Sequence, residues 1–140
     1  MNNLILVRHG QSEWNLENRF TGWVDVDLTP KGKLEACKAG ELIKEQKISF
    51  DNCFTSFQKR AINTLELILN TLRIKDNETI KAWQLNERHY GSLTGLNKDE
   101  MKKKLGEKKE LLGAESQVNF LHVSTLDIYK KLSKKILNFK

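Results

Sequence analysis

The sequence predicts an α/β fold in which a doubly wound, mostly parallel sheet is flanked by helices. Three runs rich in apolar and β-branched residues indicate strands at Leu4–Val7, Phe50–Ser56 and Thr79–Trp83. Between them, two longer stretches, from Thr29 to about Glu45 and from Phe57 to Leu72, repeat apolar residues at helical spacing. Because strands alternate with helices, we expect parallel pairing and a ligand site at the C-terminal ends of the first two strands.

Two of the predicted helices have a recognisable start. Thr29 is suited to cap the first helix, and Pro30 to occupy its first turn, where the missing N–H costs nothing. Asn97, with Glu100 three positions later, predicts the start of another helix after the loop from Gln84 to Leu96.

The length and composition are those of one soluble globular domain. The chain has 140 residues, of which 39% are hydrophobic and 30% charged. No run has the length of a transmembrane helix and the N-terminus lacks the features of a signal peptide, so we expect a cytoplasmic protein. Cys37 and Cys53 lie in apolar-patterned segments without metal-ligand spacing, which favours reduced structural cysteines over a disulfide or a zinc site.

The formal net charge of +6 does not indicate a nucleic-acid-binding protein. Lysines at 102–104, 108–109 and 130–135 account for much of the charge and are typical of solvated helix faces. Aromatic residues that could stack on bases do not alternate with these lysines. Anionic sugar phosphates would be attracted by the same charge.

The first strand ends on Arg8, His9 and Gly10. Alone, this triplet is more typical of an ordinary strand end with exposed polar residues than of a ligand site. It also suits a phosphoryl group, because arginine offers a planar fork, histidine is a neutral nucleophile near pH 7, and glycine lets the backbone approach a ligand. The loop that follows adds hydroxyl, amide and backbone donors, which can surround phosphate oxygens, at Ser12, Asn15, Arg19, Thr21 and Gly22.

Two longer motifs carry a resemblance to a known family. Residues 8–32 are RHGQSEWNLENRFTGWVDVDLTPKG and residues 85–97 are LNERHYGSLTGLN. The first resembles the opening signature of the histidine phosphatase superfamily, and both resemble most closely its 2,3-bisphosphoglycerate-dependent phosphoglycerate mutases. The resemblance covers about residues 1–106 of a single domain, with residues 107–140 as a divergent helical tail.

The resemblance implies a role for each matching residue. His9 corresponds to the phosphohistidine nucleophile, and Glu87 to the general acid and base that protonates the leaving oxygen. For Lys98, an exposed helical lysine is an equally good interpretation. The substrate contacts expected on this basis, together with loop chemistry, are Arg8, Ser12, Asn15, Thr21, Gly22, Arg60, Arg88, Tyr90 and Lys98. Trp14, Phe20 and Trp23 are expected to pack and stiffen the first loop.

The function implied by the resemblance is interconversion of 2-phosphoglycerate and 3-phosphoglycerate in glycolysis and gluconeogenesis. His9 would be primed by 2,3-bisphosphoglycerate as cofactor, without a metal. The expected partners are small phosphoglycerates and, for self-association, a second copy of the chain, but neither nucleic acid nor membrane. Two alternatives stay open: a histidine phosphatase, in which water accepts the phosphoryl group, and a catalytically impaired remnant that only binds phosphoglycerates.

After Gly106 the sequence departs from the family pattern. The family's arginine pair and its second histidine, within His-Gly-Asn, are not found. His122 follows a short apolar run, but Val123 and Ser124 follow it, so a half-buried strand histidine is favoured over a catalytic substitute. The sheet is therefore expected to be incomplete at the C-terminus. An uncovered first strand would lower stability, promote self-association, or be covered by the tail, where Leu126–Leu137 is helix-like.

Overall fold

The computed structural model describes residues 4–75 and 77–104. The tail 107–140, including His122 and the segment predicted to be helical, lies outside the described residues. The helices are α1 (Glu13–Leu16), α2 (Pro30–Glu45), α3 (Lys59–Leu72) and a further helix, α4, at 98–104, and the strands are β1 (Cys53–Thr55) and β2 (Thr79–Lys81). Short 3-10 turns occupy Trp83–Leu85 and Gly91–Leu93.

The two strands pair in parallel, as the alternation of strands and helices predicts. Cys53 lies opposite Thr79 and Thr55 opposite Lys81, with α3 connecting the strands. Both strands are shorter than the apolar runs that predicted them, because only three residues of each are paired. Trp83, predicted to end the second of these strands, instead begins a 3-10 turn.

Helix α2 begins as its sequence predicts. The side chain of Thr29 accepts a hydrogen bond from the N–H of Gly32 at 3.1 Å, and Pro30 occupies the first turn. The N–H of Thr29 also donates to the carbonyl of Gln11 at 2.9 Å. The cap therefore joins the start of α2 to the loop that follows His9.

Helices α2 and α3 pack together through small and aliphatic side chains. Ala36 of α2 and Ile68 of α3 are buried. A methyl group placed on Gly40 would come within 2.8 Å of the Cβ atom of Thr71, so the helices approach closely at this point. The packing orients the first turn of α3 toward the loops that form the candidate site.

The prediction of a buried strand at Leu4–Val7 is wrong for the structure described. Within residues 4–75 and 77–104 no strand pairs with this run, and the side chains of Leu4 and Leu6 are 61% and 70% exposed. A strand needs a neighbour for its backbone groups and a surface for its apolar side chains. The apolar pattern of Leu4–Val7 indicates a preference for a strand, but it cannot provide the neighbouring strand or the apolar surface that a strand needs.

The cysteines and the lengths of the helices bear on two further expectations from the sequence. Cys37 and Cys53 are both free thiols, and burial raises the pKa of the Cys53 thiol. Within the described part of the chain, the helices are too short or too polar to span a bilayer.

Candidate active site

A polar cleft forms where the segment after Val7, the loop around Thr21, the first turn of α3 and the loop before α4 meet. Its lining contains three cationic side chains and one carboxylate. The residues are Arg8, His9, Asn15, Thr21, Gly22, Arg60, Glu87, Tyr90 and Lys98. All nine are site residues predicted from the sequence.

The imidazole of His9 has one defined tautomer. Its Nδ1 atom lies 2.7 Å from the carbonyl oxygen of Gly10, and a carbonyl only accepts hydrogen bonds, so Nδ1 carries the proton. Burial lowers the pKa of His9, and the charges of Arg60 and Arg8 lower it further, against the raising effects of the Gly10 hydrogen bond and of Glu87. Nε2 is therefore an unprotonated nitrogen near pH 7.

The backbone after His9 is held by a close approach between glycines. The N–H of Gly10 donates to the hydroxyl of Thr64 at 3.1 Å, and that hydroxyl donates to the carbonyl of Arg60 at 2.7 Å. A side chain at Gly10 would overlap the carbonyl oxygen of Gly32, and one at Gly32 would overlap the carbonyl of Gln11. Only glycine fits at both positions, so His9 is anchored to α2 and α3 together.

The two arginines of the cleft have different environments. Arg8 is exposed, whereas Arg60 is 1% exposed. The guanidinium of Arg60 donates to the carbonyls of Gly22 at 2.9 Å and Val24 at 3.1 Å. Burial lowers the pKa of Arg60 while the charge of Glu87 raises it, and arginine keeps its charge in proteins. Arg60 thus supports the adjacent loop while lining the cleft.

The loop that supplies Asn15, Thr21 and Gly22 is shaped by short contacts. Gly22 has a φ of +55°, and a methyl group there would lie 3.2 Å from the ring of Tyr90. The hydroxyl of Ser12 donates to Oδ1 of Asn15 at 2.9 Å. Ser12 is fully buried and is not part of the cleft lining, so the structure does not bring this predicted contact residue to the cleft.

Glu87 is held at three points. Its N–H donates to Oε1 of Gln58 at 3.2 Å, and its carbonyl accepts from the indole N–H of Trp23 at 2.6 Å. Its side-chain Oε1 accepts from the N–H of Arg88 at 2.9 Å. The carboxylate is exposed and faces the cleft, so its other oxygen can exchange a proton with a bound group.

Aromatic rings support the remaining cations. The rings of Phe20 and Tyr90 are 5.0 Å apart, Nζ of Lys98 lies 5.8 Å from the Phe20 ring, and the Arg88 guanidinium lies 4.9 Å from the Tyr90 ring. Lys98 lines the cleft. Arg88 is adjacent to the cleft but is not among its lining residues.

One supporting residue was missed from the sequence. Phe20 packs as expected, and Trp23, although half exposed, places its ring edge-on to that of His89 at 5.8 Å and donates a hydrogen bond to Glu87. Gln58 was not singled out, although its buried amide contacts both loops of the cleft. No local signal distinguishes a buried glutamine at a helix start from a surface one.

The chemistry of the cleft is that of an anion site. Three cations, a hydroxyl, an amide, a phenol and backbone groups face a neutral imidazole and one carboxylate. Within residues 4–75 and 77–104, no group of His, Cys, Asp and Glu side chains has an arrangement that could hold a metal ion.

Comparison with known proteins identifies relatives of the chain. Residues 4–131 match the family model of the histidine phosphatase superfamily (branch 1). A protein from Pelagibacter ubique (strain HTCC1062) named 2,3-bisphosphoglycerate-dependent phosphoglycerate mutase is 76% identical over 109 residues, which are 78% of this chain and 45% of that protein. A protein of the same name from Nautilia profundicola is 59% identical over 112 residues, or 80% of this chain and 49% of that protein.

The fold is similar to that of a solved structure. The phosphoglycerate mutase from Bacillus anthracis str. Sterne aligns with a TM-score of 0.66 and 28% identity, over 81% of this chain and 49% of that one. The chain spans about half the length of the curated relatives it matches.

Proposed function

Because the chain belongs to the histidine phosphatase superfamily (branch 1), we propose that it transfers phosphoryl groups through His9 and interconverts 2-phosphoglycerate and 3-phosphoglycerate. The observation that carries the proposal is the tautomer of His9. Its Nδ1–H is committed to the Gly10 carbonyl, so Nε2 is the nucleophilic atom in a cleft with three cations. The names of the relatives support phosphoglycerates as the substrates.

Substrate binding is assigned to the cationic and neutral donors of the cleft. Arg8, Arg60 and Lys98 balance the charge of phosphate and carboxylate groups. The side chains of Asn15 and Thr21 and the backbone at Gly22 donate to phosphate oxygens without adding charge. Together these groups stabilise the negative charge of the transferring phosphoryl group.

The chemical step requires one nucleophile and one proton donor. Nε2 of His9 attacks phosphorus, the bond from phosphorus to the ester oxygen breaks, and Glu87 gives its proton to the departing oxygen. In the return step the carboxylate of Glu87 takes a proton from the incoming hydroxyl. Arg88, whose N–H donates to the Glu87 carboxylate, and Tyr90, which lines the cleft with Glu87, are assigned to substrate positioning.

The charges of the cleft also support 2,3-bisphosphoglycerate, the cofactor in the relatives' names, as a ligand. Its lining residues carry three positive charges against one carboxylate, which suits a ligand with several phosphate charges. Arg8, Arg60 and Lys98 would hold the cofactor, and it would supply the phosphoryl group that loads His9.

Two alternatives differ from the mutase in what happens to the phosphoryl group. A phosphatase would pass the phosphoryl group from His9 to water, and a remnant would bind phosphoglycerates and leave them unchanged. The cytoplasmic location and the self-association expected from the sequence stay predictions. Dependence of turnover on added 2,3-bisphosphoglycerate distinguishes a mutase from a phosphatase, since only the mutase requires the cofactor.

The first test is the intact mass of the protein after incubation with 2,3-bisphosphoglycerate. We expect one added phosphoryl group that is labile in acid, absent from His9→Ala and present in His89→Gln, which keeps an acceptor for the N–H of Gly91. No addition to folded protein would contradict the proposal and favour the remnant. Addition to His9→Ala would show that another residue is the nucleophile.

A further inference from the structure

Gln58 is the residue through which α3 contacts both loops of the cleft. It occupies the N-cap position of α3, its side chain makes no capping hydrogen bond, and it is 6% exposed. It does not line the cleft. Its amide is therefore available for contacts with other segments.

Both ends of the Gln58 amide have a defined partner. Nε2 donates to the carbonyl of Gly22 at 2.7 Å, and Oε1 accepts from the N–H of Glu87 at 3.2 Å. A carbonyl can only accept and a backbone N–H can only donate, so the amide has one orientation that satisfies both. A single side chain thus joins the phosphate-site loop to the backbone of the proton donor.

From these contacts we infer that Gln58 is a positioning residue that sets the place of Glu87 relative to His9. The Gly22 carbonyl that Gln58 binds also accepts from Arg60, which makes that end of the link rigid. On the other side, the carbonyl of Glu87 accepts from Trp23. The peptide groups on both sides of Glu87 are held, and the carboxylate projects from a restrained backbone.

Positioning of Glu87 by Gln58 affects proton transfer more than substrate binding. In the proposed function, on which this inference rests, Glu87 protonates the leaving oxygen as the phosphorus–oxygen bond breaks and the bond to Nε2 of His9 forms. A displaced Glu87 would therefore slow departure of a poor leaving group, such as the alkoxide of a phosphoglycerate. An aryl oxide, which leaves without a proton, would be affected much less.

The test compares two phosphoryl donors in the same variants. The rate of His9 phosphorylation is measured by intact mass with 2,3-bisphosphoglycerate and with 4-nitrophenyl phosphate. For Gln58→Leu we expect a decrease of about tenfold with the first donor and less than about twofold with the second, since a misplaced general acid loses part of its usual contribution. Gln84→Leu, the same change at an exposed glutamine, is the matched control and should leave both rates unchanged.

Each other outcome has a defined meaning. Equal decreases with both donors, or no decrease with either, would overturn the positioning role. If Gln58→Leu does not fold, Gln58→Glu is tested in its place, with Gln84→Glu as the control. A glutamate at position 58 has the size of glutamine and keeps the acceptor for the N–H of Glu87, but it loses the donor to the Gly22 carbonyl. Absence of phosphorylation of the unsubstituted protein by both donors would instead contradict the proposed function.

Discussion

The Nδ1–H of His9 donates to the carbonyl of Gly10 at 2.7 Å, and this contact determines which ring nitrogen can react. Because burial lowers the pKa of His9 from its ordinary value of 6.5, Nε2 stays unprotonated over a wider range of pH than in a solvated histidine.

The first prediction is the pH dependence of His9 phosphorylation. The rate should be constant near pH 7 and should fall as the pH drops, with its midpoint below 6.5. The unfolded chain binds more protons than the folded one in that range, so stability should also decrease as the pH falls below 6.5. Urea unfolding at several pH values, compared with His9→Ala, checks whether stability decreases as the pH falls. A midpoint above pH 6.5 in the phosphorylation rate would contradict the prediction.

A second prediction tests the close approach of Gly32 to the loop after His9. Helix propensity alone favours Gly32→Ala by about 1 kcal/mol. The added methyl group overlaps the Gln11 carbonyl, however, and overpacking costs about 1–3 kcal/mol, so we expect net destabilisation. Denaturant unfolding measures the difference. Lys33→Ala, at the next and exposed position, should change the free energy of unfolding by less than about 0.5 kcal/mol. Stabilisation by Gly32→Ala would show that the loop is free to move away.

A third prediction separates the two arginines. Arg60→Lys keeps the charge but loses the fork that binds the carbonyls of Gly22 and Val24, so we expect a loss of about 2 kcal/mol of stability as well as weaker phosphate binding. Arg8→Lys should weaken phosphate binding and change stability by less than about 0.5 kcal/mol, because Arg8 is exposed. Thermal unfolding and phosphate titration of both variants provide the comparison. Equal effects of the two substitutions on stability would show that the hydrogen bonds from Arg60 to Gly22 and Val24 do not stabilise the fold.

A fourth prediction concerns the exposed apolar run before the cleft. Leu4, Leu6 and Val7 are adjacent and exposed, and such patches promote association with a second copy of the chain. Leu6→Gln should reduce concentration-dependent association in sedimentation velocity. Leu34 is 71% exposed on α2, outside the run at 4–7, so Leu34→Gln should have no effect. A monomeric protein at all concentrations would remove the basis for this prediction.

Much of the candidate site could be predicted because its residues lie in contiguous motifs. Nine of the eleven predicted residues line one cleft, the exceptions being Ser12 and Arg88. Their proximity follows from the order of strands, loops and helices, which also predicted the parallel pairing of β1 with β2. Their roles in binding and catalysis stay predictions until the experiments are done.

The sequence by itself determined the start of α2, the amphipathic face of α3 and the identity of the chemical groups at the cleft, because capping, periodicity and motif order are local properties. Only the tertiary structure decided which tautomer His9 adopts, that Gln58 links Gly22 to Glu87, and that Leu4–Val7 has no strand partner among the described residues. Each of these depends on a partner from elsewhere in the fold, such as a carbonyl, an N–H or a neighbouring strand. No pattern within the segment itself encodes that partner.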